Sequence, residues 1–284
     1  MRAMRTLAQE GHHIKAFATL RRGDATRLAR ESVESGADLI LIAGGDGTIN
    51  EALNGMVHSH VPLAVLPAGT ANVLANELDL ETSMGRTATR LARLVPQRIS
   101  VGLLRGADYS RYFLLMAGVG LDAEIVRRVN LKLKKRVGKL AYWVAGFGMI
   151  ARRLEQFEAR PGEKIFPASF ALASRVRHYG GGLQIARSAS LLEDRFELVV
   201  FEGRHALRYL KYLGGVLTGR LERLRGVAVV QAQKVDFAAT GDDRVHVQVD
   251  GEAAGRLPVT VEIVPDAVTL LMPSSQRRRL ATQA

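Results

Sequence analysis

The feature that most constrains this chain is a change of pattern near residue 100. Before it, short apolar runs alternate with helical periodicity; after it, most segments are short strands. Strand–helix alternation builds a parallel sheet covered by helices, whereas successive alternating strands build an antiparallel sandwich. The first part reads as strand IKAFAT (14–19), then a helix with Asp24 as N-cap and Gly36 as stop. Strand DLILIAGG (38–45) follows, apolar enough to be buried on both faces, then a helix from Thr48 to about Val57. Strand PLAVLP (62–67) and helical segments at 71–78 and 84–95 complete it. Beyond Gln97, RISVGLL and YFLLMAGVG read as strands, and a helical stretch fills most of 121–157. From Phe166 the strands are ASFALAS, GLQIA, RFELVVF, VAVVQAQKVDF, RVHVQVD, PVTVEIV and AVTLLMP, interrupted by a helix at about 204–218. The expected fold is an α/β N-terminal domain with a mainly parallel sheet, plus a C-terminal, mainly antiparallel β-sandwich domain.

Composition bounds the function. At roughly 150 residues per domain, 284 residues give two domains, each with its own core. A chain that is 47% hydrophobic and 24% charged is globular rather than disordered. With no cysteine, disulfide scaffolds, cysteine–zinc sites and thiol nucleophiles are excluded. The longest apolar run, 140–150, is about half the roughly 20 residues a membrane span needs, and the N-terminus has no signal-type apolar core. A soluble, reduced, cytoplasmic protein is expected. The net charge of +12 suits an anionic partner, either nucleic acid or a membrane surface. Aromatic residues are few (9 Phe, 6 Tyr, 1 Trp) and do not interleave with basic ones as on an RNA-stacking surface, which favours the membrane and no nucleic acid.

The strongest local signal is the strand-to-helix junction LILIAGGDGTINEALNG (39–55). Gly44, Gly45 and Gly47 allow a tight turn with backbone N–H groups close to a ligand, and the next helix points its positive end at the same spot. No GKS or GKT follows, and Asn50 stands where the third glycine of GxGxxG would be. Thr48 and Glu51 also read as a capping box, a purely structural use. Asp46 would repel a phosphate unless a cation intervened, so an indirect Mg2+ role is expected of it. A second loop, LPAGTANVLANEL (66–78), repeats the arrangement with Gly69, Thr70 and Asn72 at the same sheet edge, its threonine 22 residues after Thr48. In VQVDGE, valines 245, 247 and 249 share one strand face, and Asp250-Gly251 turns the chain to expose Glu252.

Together with YFLLMAGVGLDAEIV, YGGGLQIARSASLLEDRFELVVF and VQVDGEAAGRLPVTVEIVP, the two loops resemble the diacylglycerol kinase catalytic family. The likeness is to bacterial lipid kinases of the diacylglycerol/sphingosine kinase superfamily and runs from about Gly11 to Pro273. GGDGT alone is shared with NAD kinases and, loosely, phosphofructokinases. The resemblance implies an ATP- and Mg2+-dependent enzyme that phosphorylates a membrane lipid hydroxyl, with its active site in the cleft between the domains. It implies domains at 1–102 and 103–267, with 268–284 returning to the first. Gly44, Gly45, Asp46, Gly47, Thr48, Ile49 and Asn50 would hold the nucleotide phosphates, with Gly69, Thr70, Asn72 and Thr19 as further contacts. Glu252 would be the base and Asp250 its neighbour. Ser190, Glu193 and Arg195 align with a metal-holding loop, although Glu193-Asp194 stands where the family usually has Asp-Gly.

The chain departs from the family in three ways. It lacks the Asn-Pro-x-Ser-Gly loop and the strand before it, an expected sign of a misassigned start or a fragment. Val73 and Ser100 replace two acids of an Mg2+-linked network. A non-catalytic lipid-binding member is therefore one alternative. NAD kinase is another, although GTANVLANEL differs from the glycine-rich dinucleotide loop of those enzymes. The stretch 127–139 holds seven basic residues and no acid beside the apolar run 140–150, a composition suited to an anionic membrane surface and peripheral association. Oligomeric state is not readable.

Overall fold

The computed structural model describes residues 2–81, 83–121, 123–124, 154–180, 182–205, 208–241 and 244–276. The basic stretch 127–139 and most of the expected helical region 121–157 lie outside these residues.

The N-terminal part contains helices α1 (Arg2–Gln9), α2 (Asp24–Glu34), α3 (Asp46–Met56), α4 (Val73–Glu77) and α5 (Met84–Ala88). Its strands β1 (Ile40–Gly44) and β2 (Pro62–Pro67) pair in parallel, from Ile40 opposite Leu63 to Gly44 opposite Pro67. Five of the six β2 residues are buried, as a central parallel strand requires. β1 differs from expectation: only Ile40 is fully buried, because β1 ends the sheet among the described residues. For the same reason 14–19 forms no strand there. It has no regular secondary structure and is exposed, with Phe17 61% accessible, since period-two apolarity makes a strand only where a neighbour supplies hydrogen bonds. The helix expected over 84–95 stops at Ala88, and after one 3-10 turn (Leu91–Arg93) the chain is extended from Leu94. Pro96 accounts for the extended chain just before it, because it lacks an N–H and forces its predecessor out of the helical region.

Strand β3 (Leu94–Arg105) continues into β4 (Ser110–Phe113) and β5 (Met116–Gly120), followed by β6 (Phe157–Arg160), β7 (Phe166–Ala168) and β8 (Phe170–Ser174). A small hairpin, β9 (His178–Tyr179) with β10 (Leu183–Gln184), precedes β11 (Phe196–Phe201) and helix α6 (Arg208–Leu217). The chain closes with β12 (Val227–Ala232), β13 (Lys234–Ala239), β14 (His246–Val249), β15 (Glu252–Arg256) and β16 (Val259–Pro273).

One sheet, β12-β11-β8-β5-β14-β15, is antiparallel throughout. The other passes through both domains. PVTVEIV and AVTLLMP, expected as two strands, are one 15-residue strand, β16. Its first half pairs with β13, its second half pairs in parallel with β2 at Thr269 and Leu270, and β3 runs antiparallel beside it from Arg105 to Leu94. An irregularity between Val264 and Val268 breaks this ladder where Asp266 adopts φ 47°. YFLLMAGVG is likewise divided, with β4 in the through-going sheet and β5 in the other. The sandwich core is aromatic and β-branched, with Phe113 stacked on Phe196 at 5.8 Å.

Candidate active site

The two glycine loops meet. A Cβ on Gly69 would lie 2.6 Å from Gly45 Cα and 2.7 Å from Asn72 Oδ1, so the backbones can approach only without side chains. Asn72 closes its own loop, with its Oδ1 accepting from Gly69 N (2.8 Å) and its Nδ2 donating to Gly69 O (2.9 Å). Asp46 ties the loops together: Val73 N and Leu74 N donate to its two oxygens at 3.0 and 3.2 Å, capping α4 from another element. The capping box expected of Thr48 and Glu51 is not formed. Helix α3 begins two residues earlier, at Asp46, and Glu51 accepts from Gly23 N at 3.0 Å. Thr48 packs on Gly44, where a Cβ would lie 2.9 Å from Thr48 Cβ.

The expected nucleotide residues separate into two groups. Thr19, Gly45, Gly47 and Thr48 line a cavity of about 400 Å3, along with Arg21, Arg22 and Glu252. Gly45, Asp46, Gly47, Gly69 and Thr70 line a second, of about 240 Å3, that opens between the domains toward Met116, Tyr179 and Gln248. Ile49 is a core residue, and Asn50 is fully buried. Asn50 nevertheless links the site together: its Nδ2 donates to Asp250 Oδ2 (2.9 Å) and Tyr112 O (3.0 Å), while its Oδ1 accepts from Arg111.

Asp250 and Gly251 form the two-residue turn between β14 and β15, with φ of 48° and 80°. The same turn makes the site. Leu114, Leu115 and Met116, where the chain crosses between sheets, have N–H groups that donate to the Asp250 carboxylate at 2.8, 3.0 and 2.9 Å. Burial pushes Asp250 up to about 6, although these donors favour its ionised form. Glu252, opposite Val249, lies on the wall shared by both cavities. Its Oε1 rests over α3, 2.8 Å from where a Gly47 Cβ would be. Its Oε2 accepts from Arg111 Nη2 at 2.7 Å and Arg22 Nη2 at 3.1 Å. Burial raises the Glu252 pKa, but the two guanidinium groups more than offset this and hold it below the usual carboxylate range. Sequence reasoning missed Arg22 and Arg111. Neither belongs to a motif, and their partner lies 230 and 141 residues away.

The residues present do not fit a protein-built metal site. No group of three His, Cys, Asp or Glu side chains converges among the described residues. Both Asp46 oxygens are taken by backbone N–H groups. In the 190–195 loop, Leu191 O accepts from Arg175 Nη2 at 2.7 Å, Glu193 O from Ser100 Oγ at 3.2 Å, and Ser190 O from Glu193 N at 3.3 Å. The Glu193 carboxylate pairs with Arg195, leaving one buried oxygen, Oε1, without a partner. Two guanidinium groups thus stand where a cation would have to enter. Arg175 is itself fully buried, and burial lowers its pKa to about 10.

Comparison with known proteins gives the family. The diacylglycerol kinase catalytic domain matches residues 1–104, and the YegS C-terminal NAD kinase beta sandwich-like domain matches 116–272. The chain belongs to the diacylglycerol kinase-like lipid kinase family. A diacylglycerol kinase of Bacillus subtilis (strain 168) is 28% identical over 278 residues, covering 96% of this chain and 90% of that protein. A probable lipid kinase YegS-like protein of Chromohalobacter salexigens is 29% identical, covering 95% of this chain and 88% of its own. The fold of this lipid-kinase family member matches a putative diacylglycerol kinase from Bacillus anthracis str. Sterne at a TM-score of 0.80, with 19% identity and coverage of 96% and 91%. An NAD kinase from Archaeoglobus fulgidus, solved in complex with ATP, shares the fold more distantly, at a TM-score of 0.54 and 13% identity over 99% and 92% of the chains.

Proposed function

We propose that this protein transfers the γ-phosphate of ATP to the hydroxyl of a diacylglycerol-like membrane lipid. The observation that carries this reading is the position of Glu252 on the wall between the glycine-loop cavity and the interdomain cleft. The triphosphate would lie in the first cavity against Gly45 and Gly47, where close backbone approach and the α3 N-terminus favour anionic oxygen. The acceptor hydroxyl would enter from the cleft. Its oxygen attacks the γ-phosphorus, the bond to ADP breaks with its electron pair leaving on ADP, and the hydroxyl proton passes to the Glu252 carboxylate. Two arginines keep that carboxylate ionised at neutral pH, consistent with accepting a proton late in a loose transition state. Because no metal cage converges among the described residues, Mg2+ is assigned as the companion of the nucleotide, and no protein ligand is assigned to it.

The lipid reading rests on the names of the relatives and on the +12 charge, which suits an anionic bilayer. No helix among the described residues is long and apolar enough to cross a membrane, in keeping with peripheral association. The test is phosphate transfer from labelled ATP to diacylglycerol in phosphatidylglycerol-containing vesicles. A labelled phospholipid product supports the reading. Vesicle binding without ATP hydrolysis or lipid phosphorylation would leave a non-catalytic lipid-binding protein instead.

A further inference from the structure

We propose that Arg22 is a phosphate-binding residue that moves between Glu252 and the terminal phosphate of the bound nucleotide. This rests on the reading of the site as an ATP site and adds a residue that neither motif contains.

The loop before α2 is fixed along its backbone and free at its side chains. Leu20 N and Arg21 N both donate to Asp24 Oδ2, at 2.9 and 3.0 Å, and Gly23 N donates to Glu51 Oε2 on α3 at 3.0 Å. The Thr26 hydroxyl donates to Glu51 O at 2.7 Å, fastening the loop to the helix whose N-terminus faces the cavity. Arg22 therefore emerges from a clamped backbone at the mouth of the glycine-loop cavity. Its side chain is 74% accessible, and Glu252 Oε2 is its one polar partner among the described residues. Arg111 contacts the same oxygen but is only 22% accessible and is also held by Asn50. The two arginines therefore differ in kind. Arg111 positions Glu252, whereas Arg22 has a weak, exposed pairing that contributes little.

A guanidinium bonds phosphate oxygens in a fork, with more charge than one carboxylate offers. The cavity holds no lysine, and its other exposed guanidinium, Arg21, is already near Asp24 at 3.6 Å. Arg22 is thus the group best placed to meet a terminal phosphate. Its departure leaves Glu252 Oε2 held by Arg111 alone.

The test is titration with trinitrophenyl-ATP, competed by ATP and by ADP, on wild type, R22Q, E252Q and the double variant. R22Q should weaken ATP about tenfold, and ADP by less, in both the wild-type and E252Q backgrounds. R22K should recover part of the loss. If R22Q binds ATP like wild type, or weakens it only when Glu252 is present, the proposal fails while the ATP reading stands. If wild type binds neither probe nor ATP, the ATP reading fails as well. Circular dichroism of R22Q, altered at an exposed side chain, confirms that the variant is folded.

Discussion

A carboxylate in the interior that accepts four N–H groups serves as a geometric fixture as well as a charge. Asp250 holds the crossing at Leu114–Met116 and the Asn50 amide at once. Asp250→Ala should cost about 3 kcal/mol or more in urea unfolding, because four buried donors lose their acceptor together. A different acid governs pH dependence. Glu197, 1% accessible, accepts from Ser188 N at 2.6 Å, and burial pushes its carboxyl up to about 7. A pKa raised by folding gives stability that is full below the ordinary carboxylate value and is lost as pH rises through 7. Glu197→Gln should therefore gain stability relative to wild type between pH 5 and pH 8, by on the order of 1–3 kcal/mol in urea midpoints measured at both. At this scale the sequence was legible where a turn builds the candidate site. Asp250-Gly251 reads as a hairpin dipeptide, and the hairpin is what presents Glu252. Arg22, Arg111 and Arg175 were not legible, since their partners come from distant segments and a lone arginine has no spacing to betray it.

Among the elements, the glycine-loop pair shows how pattern and contact differ. Two strand–Gly–helix junctions were readable from periodicity; that they touch at Gly45 and Gly69 was not. Gly69→Ala would place a Cβ 2.6 Å from the Gly45 backbone, so something must move. The expected result is loss of nucleotide binding with about 1–3 kcal/mol of destabilisation, checked by trinitrophenyl-ATP titration beside thermal melting. The capping-box reading of Thr48 and Glu51 failed because Glu51 has a better use, receiving Gly23 N from the neighbouring loop. Segment 14–19 failed as a strand because alternation specifies a face but supplies no partner.

For the molecule as a whole, two devices join the domains. β3 and β16 run side by side through both, with one shift of register between Val264 and Val268, so the cleft is framed by a shared sheet rather than a linker. β16 was not legible as one strand, because each half alternates on its own and the bend at Asp266 reads as a loop; in β3, RISVGLL was legible as a strand, but the residues before it read as the end of a helix. The second device is Glu77 of α4. It is fully buried, with Arg177 Nε at 2.9 Å and His178 Nδ1 at 2.7 Å from the hairpin beside the cleft. Burial raises its pKa, but His178 and Arg177 override this and hold it below the ordinary range. Its contribution is present above about pH 4.5 and is lost as pH falls through the depressed value. Glu77→Ala should cost about 3–5 kcal/mol in urea unfolding, because Arg177 and His178 both lose this buried carboxylate.

The central claim is that Glu252 takes the acceptor proton while the glycine loops hold the nucleotide. Its most direct test compares wild type with Glu252→Gln for labelled phosphate transfer from ATP to diacylglycerol, with ATP affinity measured on the same samples. The account predicts at least about a 100-fold loss of turnover with ATP binding retained. Equal turnover by the two proteins would contradict it.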